Sequence, residues 1–583
     1  MLRDAPESRT LTGPPKPGRP GAKPGNGWGP PLLPVLVPLV LVASTLAVVF
    51  AWVFPTVDTT RPAPVARFTN ITKDSGVQFV HRSGLKDPPT TLGGAVVVLD
   101  YDRDGRPDLF FVNGSPWPWE DAAGATVGTC ALYHNDGGGH FTDVTRAAGL
   151  GIVMQGMSAA VGDYDNDGYP DIYITGVGEN RLLHNQRDGT FADVTASAGV
   201  GGDGQTWSTG ATWIDYDGDG RLDLVVANYA RWPGEVELAT AFSVARMGPS
   251  YGAPSGFVGA FPSVYRNLGN GRFALVPGAA GLRNVDPQTR LPVAKALAVV
   301  PIDANGDGRL DLLFTYQRAA NALFLNQGDG TFRKWSSGVD NRIEGAAAGL
   351  ASASLLPSAQ VGGDERCAAL LSAGALDEDN HDESVLSLRA KLGVGLLDYD
   401  HGGRLELFSG NGRAEPDVGK VEPGRDWAAV PQLLWNRGRF WMPAVAVGAE
   451  AAGWANLTVA RGVAVADLDG DGNSDIIIAQ NNGPAVVLRN DQRTGRPWLR
   501  VALIATRTHW EAGGARVEVH TPRRVLVRTM APAMGFMAQS ESVLDFGLGE
   551  DARLRKLVVY WPSGQRQELR PVAINQTLVI REP

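Results

Sequence analysis

Residues 100–108 read Asp-Tyr-Asp-Arg-Asp-Gly-Arg-Pro-Asp, and this stretch decides the fold because it stands between two apolar segments and recurs along the chain. Acidic residues fill positions one, three, five and nine, and glycine fills position six. Four further copies keep the pattern, with one Asn among the acidic positions, at residues 163–171, 215–223, 303–311 and 467–475. A sixth copy at 398–406 has Gly402 at position five. An array of one repeated unit is therefore expected.

The spacing of the carboxylates in these loops suits a calcium ion. Ca²⁺ takes six to eight oxygen ligands, and alternate residues of a tight loop aim their side chains at one point. The backbone carbonyl at position seven would add to the shell. About five Ca²⁺ ions are predicted, each held by positions one, three, five, seven and nine of an intact loop. The predicted ligands are Asp100, Asp102, Asp104, Arg106, Asp108, Asp163, Asp165, Asp167, Tyr169, Asp171, Asp215, Asp217, Asp219, Arg221, Asp223, Asp303, Asn305, Asp307, Arg309, Asp311, Asp467, Asp469, Asp471, Asn473 and Asp475.

Neither simple turns nor EF-hands fit these loops as well. Aspartate and glycine also favour simple turns, but repeated copies with the same ligand positions exceed what a turn requires. EF-hands end in a bidentate Glu at position twelve and are flanked by helices. Here the flanks are β-branched and position twelve is apolar, as Phe111, Ile174, Val226, Phe314 and Ile478. The loops therefore indicate calcium-bound β-hairpins.

A second element follows each loop: an apolar strand, an asparagine, a glycine-rich turn and a phenylalanine, as in Asn185 to Phe191. Each unit then holds about four short strands, which predicts an all-β propeller built of radially repeated blades. The FTNIT segment at 68–72 resembles the strand after the phenylalanine and is expected to close the ring against the last blade. A surplus of chain around 345–390 has room for a blade beyond the visible units. A seven-bladed propeller is preferred, with six blades as the alternative.

This combination of motifs resembles a known family. The strand, Asp loop, strand and N-x-G-x-G-x-F pattern is similar to the FG-GAP/VCBS repeats of integrin-type propellers. The segments GGARVEVH (513–520), GFMAQSESVLDFGLG (535–549) and LVVYWPSGQRQEL (557–569) resemble the ASPIC/UnbV domain. Together they resemble the CRTAC1-like (cartilage acidic protein) family of secreted or membrane-bound proteins. The resemblance implies a seven-bladed propeller over 65–495 and a small β domain over 497–580.

The N-terminus predicts a membrane anchor. Residues 1–30 are rich in Pro and Gly and are expected to form a disordered cytoplasmic tail. Residues 31–54 carry no charge, and as a helix they would reach about 36 Å, enough to cross a ~30 Å hydrocarbon core. Basic residues before the span place the N-terminus in the cytoplasm. An uncleaved signal anchor with an extracytoplasmic ectodomain is the favoured interpretation, and secretion after signal cleavage is the alternative.

The net charge and the cysteine content restrict the kinds of partner and metal that this chain could bind. A net charge of −9 argues against nucleic acid as a partner, and five bound Ca²⁺ ions would bring that charge to about +1. The chain has two cysteines, Cys130 and Cys367, and no cysteine and histidine spacing typical of a zinc site. Whether Cys130 and Cys367 form a disulfide stays open.

The sequence shows no recognisable catalytic constellation. Gly248-Pro-Ser250-Tyr-Gly252 matches G-x-S-x-G, but it lies in a Pro- and Gly-rich insertion without the strand and helix of a nucleophile elbow. His134 and His184 precede the repeat asparagine, where a structural role is expected. The resembled family usually keeps Asn-Gly-His after the sixth loop, and this chain has Asn411-Gly-Arg. A calcium-binding protein with an adhesion, binding or scaffold role is therefore favoured over an enzyme.

This hypothesis places a protein or glycan ligand on one rim of the propeller, where insertions, chiefly 229–264 and 335–395, present loops. Trp117, Trp119 and Trp232 are candidate contact residues, and packing within the loops is the equally weighted alternative for them. The alternative function is an enzyme acting on glycans, with a polar cluster in the central channel. A third hypothesis, an accessory role in a biosynthetic pathway, rests on the UnbV name alone.

Overall fold

The computed structural model describes residues 63–82, 93–116, 127–232, 258–286, 288–292, 295–317, 321–335, 393–412, 426–436, 458–509, 511–531 and 537–583, and the backbone of strand residues 243–244, 248–249 and 441–443. These residues form an almost entirely β structure, which confirms the predicted fold class. The predicted tail (1–30), anchor (31–54) and extra blade (345–390) lie outside them, as does Cys367. Within these ranges no helix is long and apolar enough to cross a bilayer.

Each Asp loop joins the first two strands of a four-stranded antiparallel blade. Strand β1 (Phe68–Asn70) and the short helix α1 (Thr72–Ser75) come first in the chain. Blade 1 contains β2 (Ala95–Leu99), β3 (Asp108–Val112), β4 (Ala131–Gly137) and β5 (His140–Asp143). Blade 2 contains β6 (Gly156–Gly162), β7 (Asp171–Gly178), β8 (Arg181–Asn185) and β9 (Phe191–Asp193), and helix α2 (Thr195–Ala198) follows it.

The later blades repeat this arrangement. Blade 3 contains β10 (Thr206–Ile214), β11 (Asp223–Arg231), β14 (Ser263–Gly269) and β15 (Arg272–Leu275), with the hairpin β12 (Ser243–Val244) and β13 (Gly248–Pro249) in its insertion. A 3₁₀ turn (Pro277–Gly281) follows β15 in the link between blades 3 and 4. Blade 4 contains β16 (Lys295–Ile302), β17 (Asp311–Gln317), β18 (Ala322–Asn326) and β19 (Phe332–Lys334). Blade 5 contains β20 (Val394–Leu397), β21 (Glu406–Ser409), β22 (Gln432–Asn436) and β23 (Trp441–Pro443).

Blade 6 joins the two ends of the repeat array. It contains β24 (Ala460–Ala466), β25 (Asp475–Gln480) and β26 (Val486–Asn490), and β1 supplies its fourth strand. Phe68 lies opposite Asn490 in this antiparallel pair. The prediction that the 68–72 segment pairs with the last blade is therefore confirmed.

Apolar side chains hold successive blades together. All five residues of β2 and of β3 are buried, because blades pack on both of their faces. Hydrophobic clusters lie between blades 5 and 6, 6 and 1, 1 and 2, 2 and 3, and 3 and 4. This arrangement is that of a β-propeller. Residues 336–392, between blades 4 and 5, lie outside the described ranges, so the choice of seven blades stays a prediction.

Trp232 belongs to this core, which corrects the expectation that it is an exposed contact residue. Its side chain is 6% exposed, and its ring centroid lies 6.0 Å from that of Trp207 in β10. The backbone N–H of Trp232 donates to the carbonyl of Gln205, which extends the pairing of blade 3 one residue past β11. Trp117 and Trp119 lie outside the described residues.

The C-terminal residues fold into two further sheets around a separate core that includes Val501, Val517 and Trp561. One sheet has the order β31 (Val543–Gly547), β27 (Trp498–Ile504), β34 (Thr577–Arg581). The other has the order β29 (Val525–Thr529), β28 (Arg516–His520), β32 (Lys556–Tyr560), β33 (Arg566–Leu569). One strand, β30 (Ala538–Gln539), instead pairs in parallel with β2 of blade 1.

The connections between strands define two faces of the propeller. The Asp loops and the asparagine turns lie at one end of the blades, here called the loop face. The second-to-third-strand connections and the links between blades lie at the other end, here called the insertion face. The C-terminal domain contacts the loop face: a Cβ on Gly472 would lie 2.1 Å from the Trp498 ring, and one on Gly514 would lie 3.5 Å from Leu310.

Candidate metal centres

Backbone hydrogen bonds fix the carboxylates of every Asp loop in the same way. The position-one carboxylate accepts the N–H of the position-six glycine, at 3.0 Å for Asp100 and 2.8 Å for Asp163. The same bond occurs in the other four loops, from Gly220, Gly308, Gly403 and Gly472. These bonds hold the position-one carboxylate, which is a predicted ligand in the five intact loops, in one orientation.

Position six needs glycine because of its backbone conformation. Its φ is +86° at Gly105 and +85° at Gly308, in the left-handed region that favours glycine. A Cβ at either residue would meet no atom within 4 Å. In these two copies the left-handed φ, and not a lack of space, is therefore the reason for the glycine.

The position-nine aspartates tie each loop to its own blade. Asp223 accepts the N–H of Tyr216 at 3.4 Å and that of Asn267 at 2.7 Å, through different oxygens. The equivalent residues are fully buried, namely Asp108, Asp171, Asp223, Asp311 and Asp475. They make the same pair of bonds, to the residue at position two and to the repeat asparagine.

The side chains predicted to bind calcium converge. All 25 predicted ligand residues lie within the described ranges. In three loops, three aspartates each place one carboxylate oxygen within 4.8 Å of the oxygens of the other two. These groups are Asp100, Asp102 and Asp104; Asp163, Asp165 and Asp171; and Asp215, Asp217 and Asp223. In the loops at 303–311 and 467–475, Asp303 and Asp467 make the same glycine bonds.

Burial makes this convergence costly without a cation. Burial raises the pKa of Asp108 and Asp223 to about 8 and that of Asp163 and Asp311 to about 7, and neighbouring carboxylates in each loop add to the rise. Backbone N–H donors oppose these rises without cancelling them. A divalent cation among the carboxylates would reverse them.

The residue before the repeat asparagine points its side chain at the loop. His134 Nδ1 lies 3.3 Å from Asp108 Oδ1, and His184 Nδ1 lies 3.0 Å from Asp171 Oδ1. Arg266 takes the same place in blade 3, with Nε 2.7 Å from Asp217 Oδ2. Arg266 supplies positive charge beside the carboxylates, and the hydrogen bond to Asp171 raises the pKa of His184.

The repeat asparagine has a role that sequence reasoning missed. Asn185 Nδ2 donates to the Pro170 carbonyl of its own loop at 3.2 Å and to the Tyr101 carbonyl of the preceding blade's loop at 2.9 Å. Asn135 links blade 1 to Leu468 of blade 6 in the same way, at 3.0 Å. The asparagines of blades 1, 2, 3, 4 and 6 therefore each connect two neighbouring Asp loops. The recurrence of this asparagine in every unit was the available signal.

We expect Asn185→Ala to lower the free energy of unfolding by about 2–4 kcal/mol, because it leaves two buried carbonyls without their donor. Urea unfolding with calcium present would measure the change. Gln186→Ala, at an exposed neighbouring position, is the control and should shift stability by less than about 0.5 kcal/mol. Equal effects of the two variants would contradict the linking role.

The edges of the first strands, which face the propeller axis, carry a segment of the C-terminal domain. Val96 N–H donates to the Met537 carbonyl. The Gln539 amide exchanges two hydrogen bonds with the backbone of Val161, at 2.8 and 3.2 Å. Glu541 N–H donates to the Val465 carbonyl. Residues 537–541 thereby cover the inner strands of blades 6, 1 and 2.

Two family models match this chain. The FG-GAP-like repeat model matches residues 100–174, 164–226 and 303–353, and the ASPIC and UnbV model matches residues 505–583. Cartilage acidic protein 1 of Xenopus tropicalis is 33% identical over 128 residues, which are 21% of this chain and 20% of that protein. The chain therefore contains FG-GAP-like repeats and an ASPIC and UnbV domain, and it is similar to members of the CRTAC1-like family.

The match to these family members is partial, because the aligned part spans about a fifth of the curated relatives' length. The human cartilage acidic protein 1 is 34% identical over 108 residues, 18% of this chain and 16% of the relative. Among solved structures, an Agrocybe aegerita lectin that recognises non-reducing terminal N-acetylglucosamine aligns with 16% identity and a TM-score of 0.30, over 74% of this chain and 92% of the lectin.

Proposed function

We propose that this chain is a calcium-stabilised binding or scaffold protein whose ligand surface is the insertion face of the propeller. The observation that carries the proposal is that the two faces of the propeller hold different parts of the chain. The C-terminal domain occupies the loop face, and the connections of the insertion face hold the long insertions between second and third strands. Among the described residues, the contacts of the C-terminal domain that define its position are therefore on the opposite face from this proposed ligand surface.

The exposed apolar residues support this assignment. Val127 and Val258 lie in the second-to-third-strand connections of blades 1 and 3, and Val153 and Leu291 lie in links between blades. Val153 is 56% exposed and Val258 is 52% exposed. Four exposed apolar side chains thus lie on this face, and a contiguous apolar patch there would be typical of a protein interaction surface.

The donor set of the five intact loops fits Ca²⁺ better than a transition metal. Its ligands are carboxylate and carbonyl oxygens, which hard cations prefer. Asp100 Oδ1 is buried and accepts no hydrogen bond, so a carboxylate oxygen is available inside the first loop. The calcium ions would hold the two strands of each hairpin and take no part in proton transfer.

We expect the purified protein to carry about five Ca²⁺ ions per chain, and Asp217→Ala to remove close to one of them. Elemental analysis after gel filtration would give the count. Asp188→Ala is the matched control, because Asp188 caps an exposed turn outside the Asp loops. A count near zero for the unaltered protein would overturn the calcium assignment.

The alternative, an enzyme acting on glycans in the central channel, requires an accessible polar cluster at the axis. Residues 537–541 cover three inner-strand edges there, which favours the binding function.

An affinity capture with the ectodomain, residues 60–583, tests the choice between a binding protein and an enzyme. The ligand should be lost when exposed residues of the insertion face are changed, for example by Val153→Asp and Val258→Asp. Val579→Asp, on the C-terminal domain, is the control. Capture that tolerates Val153→Asp and Val258→Asp would contradict this surface.

The membrane anchor at 31–54 completes the proposal, with the ectodomain outside the cytoplasm. The uncharged apolar length of this segment supports it. The full chain should stay in the membrane fraction after alkaline carbonate washing, and mass spectrometry should find its N-terminus intact. Recovery of a shortened, soluble chain would favour secretion after cleavage.

A further inference from the structure

The sixth Asp loop, at 398–406, is a principal contact between the propeller and the C-terminal domain. Arg496 Nη1 lies 2.6 Å from Asp400 Oδ2 and 3.0 Å from the Asp400 carbonyl. Gly547 N–H donates to Asp398 Oδ2 at 3.0 Å, and Gly549 N–H donates to the His401 carbonyl at 2.9 Å. Asp398 and Asp400 stand at positions one and three, which are predicted calcium ligands in the intact loops, and here both bond to another part of the chain.

Two further arginines of the C-terminal domain bind the same loop. Arg524 Nη2 donates to the Gly402 carbonyl at 2.9 Å, and Arg528 Nη2 donates to the Gly403 carbonyl at 3.4 Å. At position five, a Cβ on Gly402 would lie 2.6 Å from Asp400 Oδ1 and 3.7 Å from Arg496 Nη1. The missing side chain at position five therefore leaves the space in which Asp400 and Arg496 pair.

The charges of the two partners balance. The loop contributes three carboxylates that are almost fully buried, those of Asp398, Asp400 and Glu406. Opposite them lie three guanidinium groups, that of Arg496 in the segment just before β27 and those of Arg524 and Arg528 in the C-terminal domain. Buried carboxylates without a counter-charge would be strongly destabilising. In the intact loops a divalent ion fits this requirement, and in the sixth loop arginines from the adjacent domain meet it.

We propose that the sixth Asp loop is a calcium-independent docking site for the C-terminal domain, in which arginine side chains take the place of the metal ion. Arg496 binds the carboxylate at position three and Arg524 binds the carbonyl at position five. Neither of these groups is therefore available to a metal ion. The domain accordingly stays attached when the other loops lose their ions.

A carboxylate site remains underneath the arginines. Asp398 Oδ1 and Glu406 Oε2 are buried and accept no hydrogen bond among the described residues. When the Arg496 charge is removed, a cation can enter beside these oxygens and replace it. The sixth loop would then acquire the calcium dependence of the other five.

The test compares Arg496→Met with Arg493→Met, an exposed arginine three residues earlier, in the full-length protein. In EDTA, Arg496→Met should lower the Tm by about 5 °C and Arg493→Met should not. With calcium, Arg496→Met should bind one ion more than the unaltered protein. Arg496→Lys, which keeps the charge, should bind no additional ion.

Three results would overturn the proposal: equal Tm values for Arg496→Met and Arg493→Met in EDTA, no additional ion in Arg496→Met, or loss of one ion when Asp400→Asn is made in the unaltered protein. The last result would mean that the sixth loop already binds metal. If the five intact loops bound no calcium, the unaltered protein would give no ions. The EDTA comparison would still decide the docking role.

Discussion

Removing calcium should lower the Tm by about 10 °C or more at alkaline pH and by much less at acidic pH. At a concentration 100 times its Kd, each bound ion adds about 2.7 kcal/mol to the free energy of unfolding, so several sites together give a large shift. Differential scanning calorimetry with about 1 mM Ca²⁺ or with excess EDTA, at pH about 5.5 and about 8.5, would measure it.

The sign of this pH dependence follows from the raised pKa values. In the metal-free folded protein the pKa of Asp108 and Asp223 is about 8 because burial disfavours their charge, against about 3.9 in the unfolded chain. Their protonation stabilises the folded state below about pH 4, and that stabilisation is lost as the pH rises through about 8. Bound calcium prevents this loss of stability at high pH, because it stabilises the ionised form of these carboxylates in the folded protein.

Two outcomes would contradict this account. A difference in Tm between calcium and EDTA that is larger at pH about 5.5 than at about 8.5 would reverse the expected sign. Full recovery of the Tm by Mg²⁺ alone would show that the sites do not select for the larger ion, since Mg²⁺ prefers a stricter octahedral shell with several waters.

Replacing Arg500 by methionine should lower the free energy of unfolding by about 3–5 kcal/mol, because it leaves buried carboxylates without their partner. Arg500 is 5% exposed. Its guanidinium lies 3.0 Å from Asp467 Oδ2 of the propeller and 3.0 Å from Asp545 Oδ1 of the C-terminal domain, and it also binds Glu541. Urea unfolding with calcium present throughout would measure the effect.

Arg566→Met provides the comparison for Arg500→Met. Arg566 pairs with Glu568 at the protein surface, where ion pairs contribute little to stability. We expect the urea midpoint of Arg566→Met to stay close to that of the unaltered protein. An Arg500→Met variant no less stable than Arg566→Met would show that the buried ion cluster does not hold the two domains together.

The features predicted well from the sequence are the ones that repeat locally. Identical spacing in each copy indicates the Asp loops and the blades, and the likeness of FTNIT to FTDVT indicates the pairing of Phe68 with the last blade, which the register with Asn490 confirms. In these cases one short segment contains the whole signal. Calcium occupancy, the anchor and the seventh blade stay predictions.

The features missed from the sequence depend on partners far apart in the chain. The Ala538–Gln539 strand pairs with β2 through residues more than four hundred positions away, and nothing within GFMAQSES announces a propeller contact. Likewise, Asn185 shows its second hydrogen bond only when blade 1 is beside it. The insertion that follows Trp232 suggests a surface position, whereas its ring packs inward against Trp207.

Because β1 is the fourth strand of blade 6, this blade cannot be completed until the end of the repeat array has been synthesised. Thr69 and its partner Asp491 are 422 positions apart, and a ribosome adding about 5–20 residues per second needs roughly 20–80 s to cover that distance. During that interval β26 does not yet exist, and the N-terminal strand has an unpaired edge that can join other chains. Completion of the last blade is therefore a late step of synthesis, and chaperone protection of the nascent N-terminal strand would be needed longest in this protein.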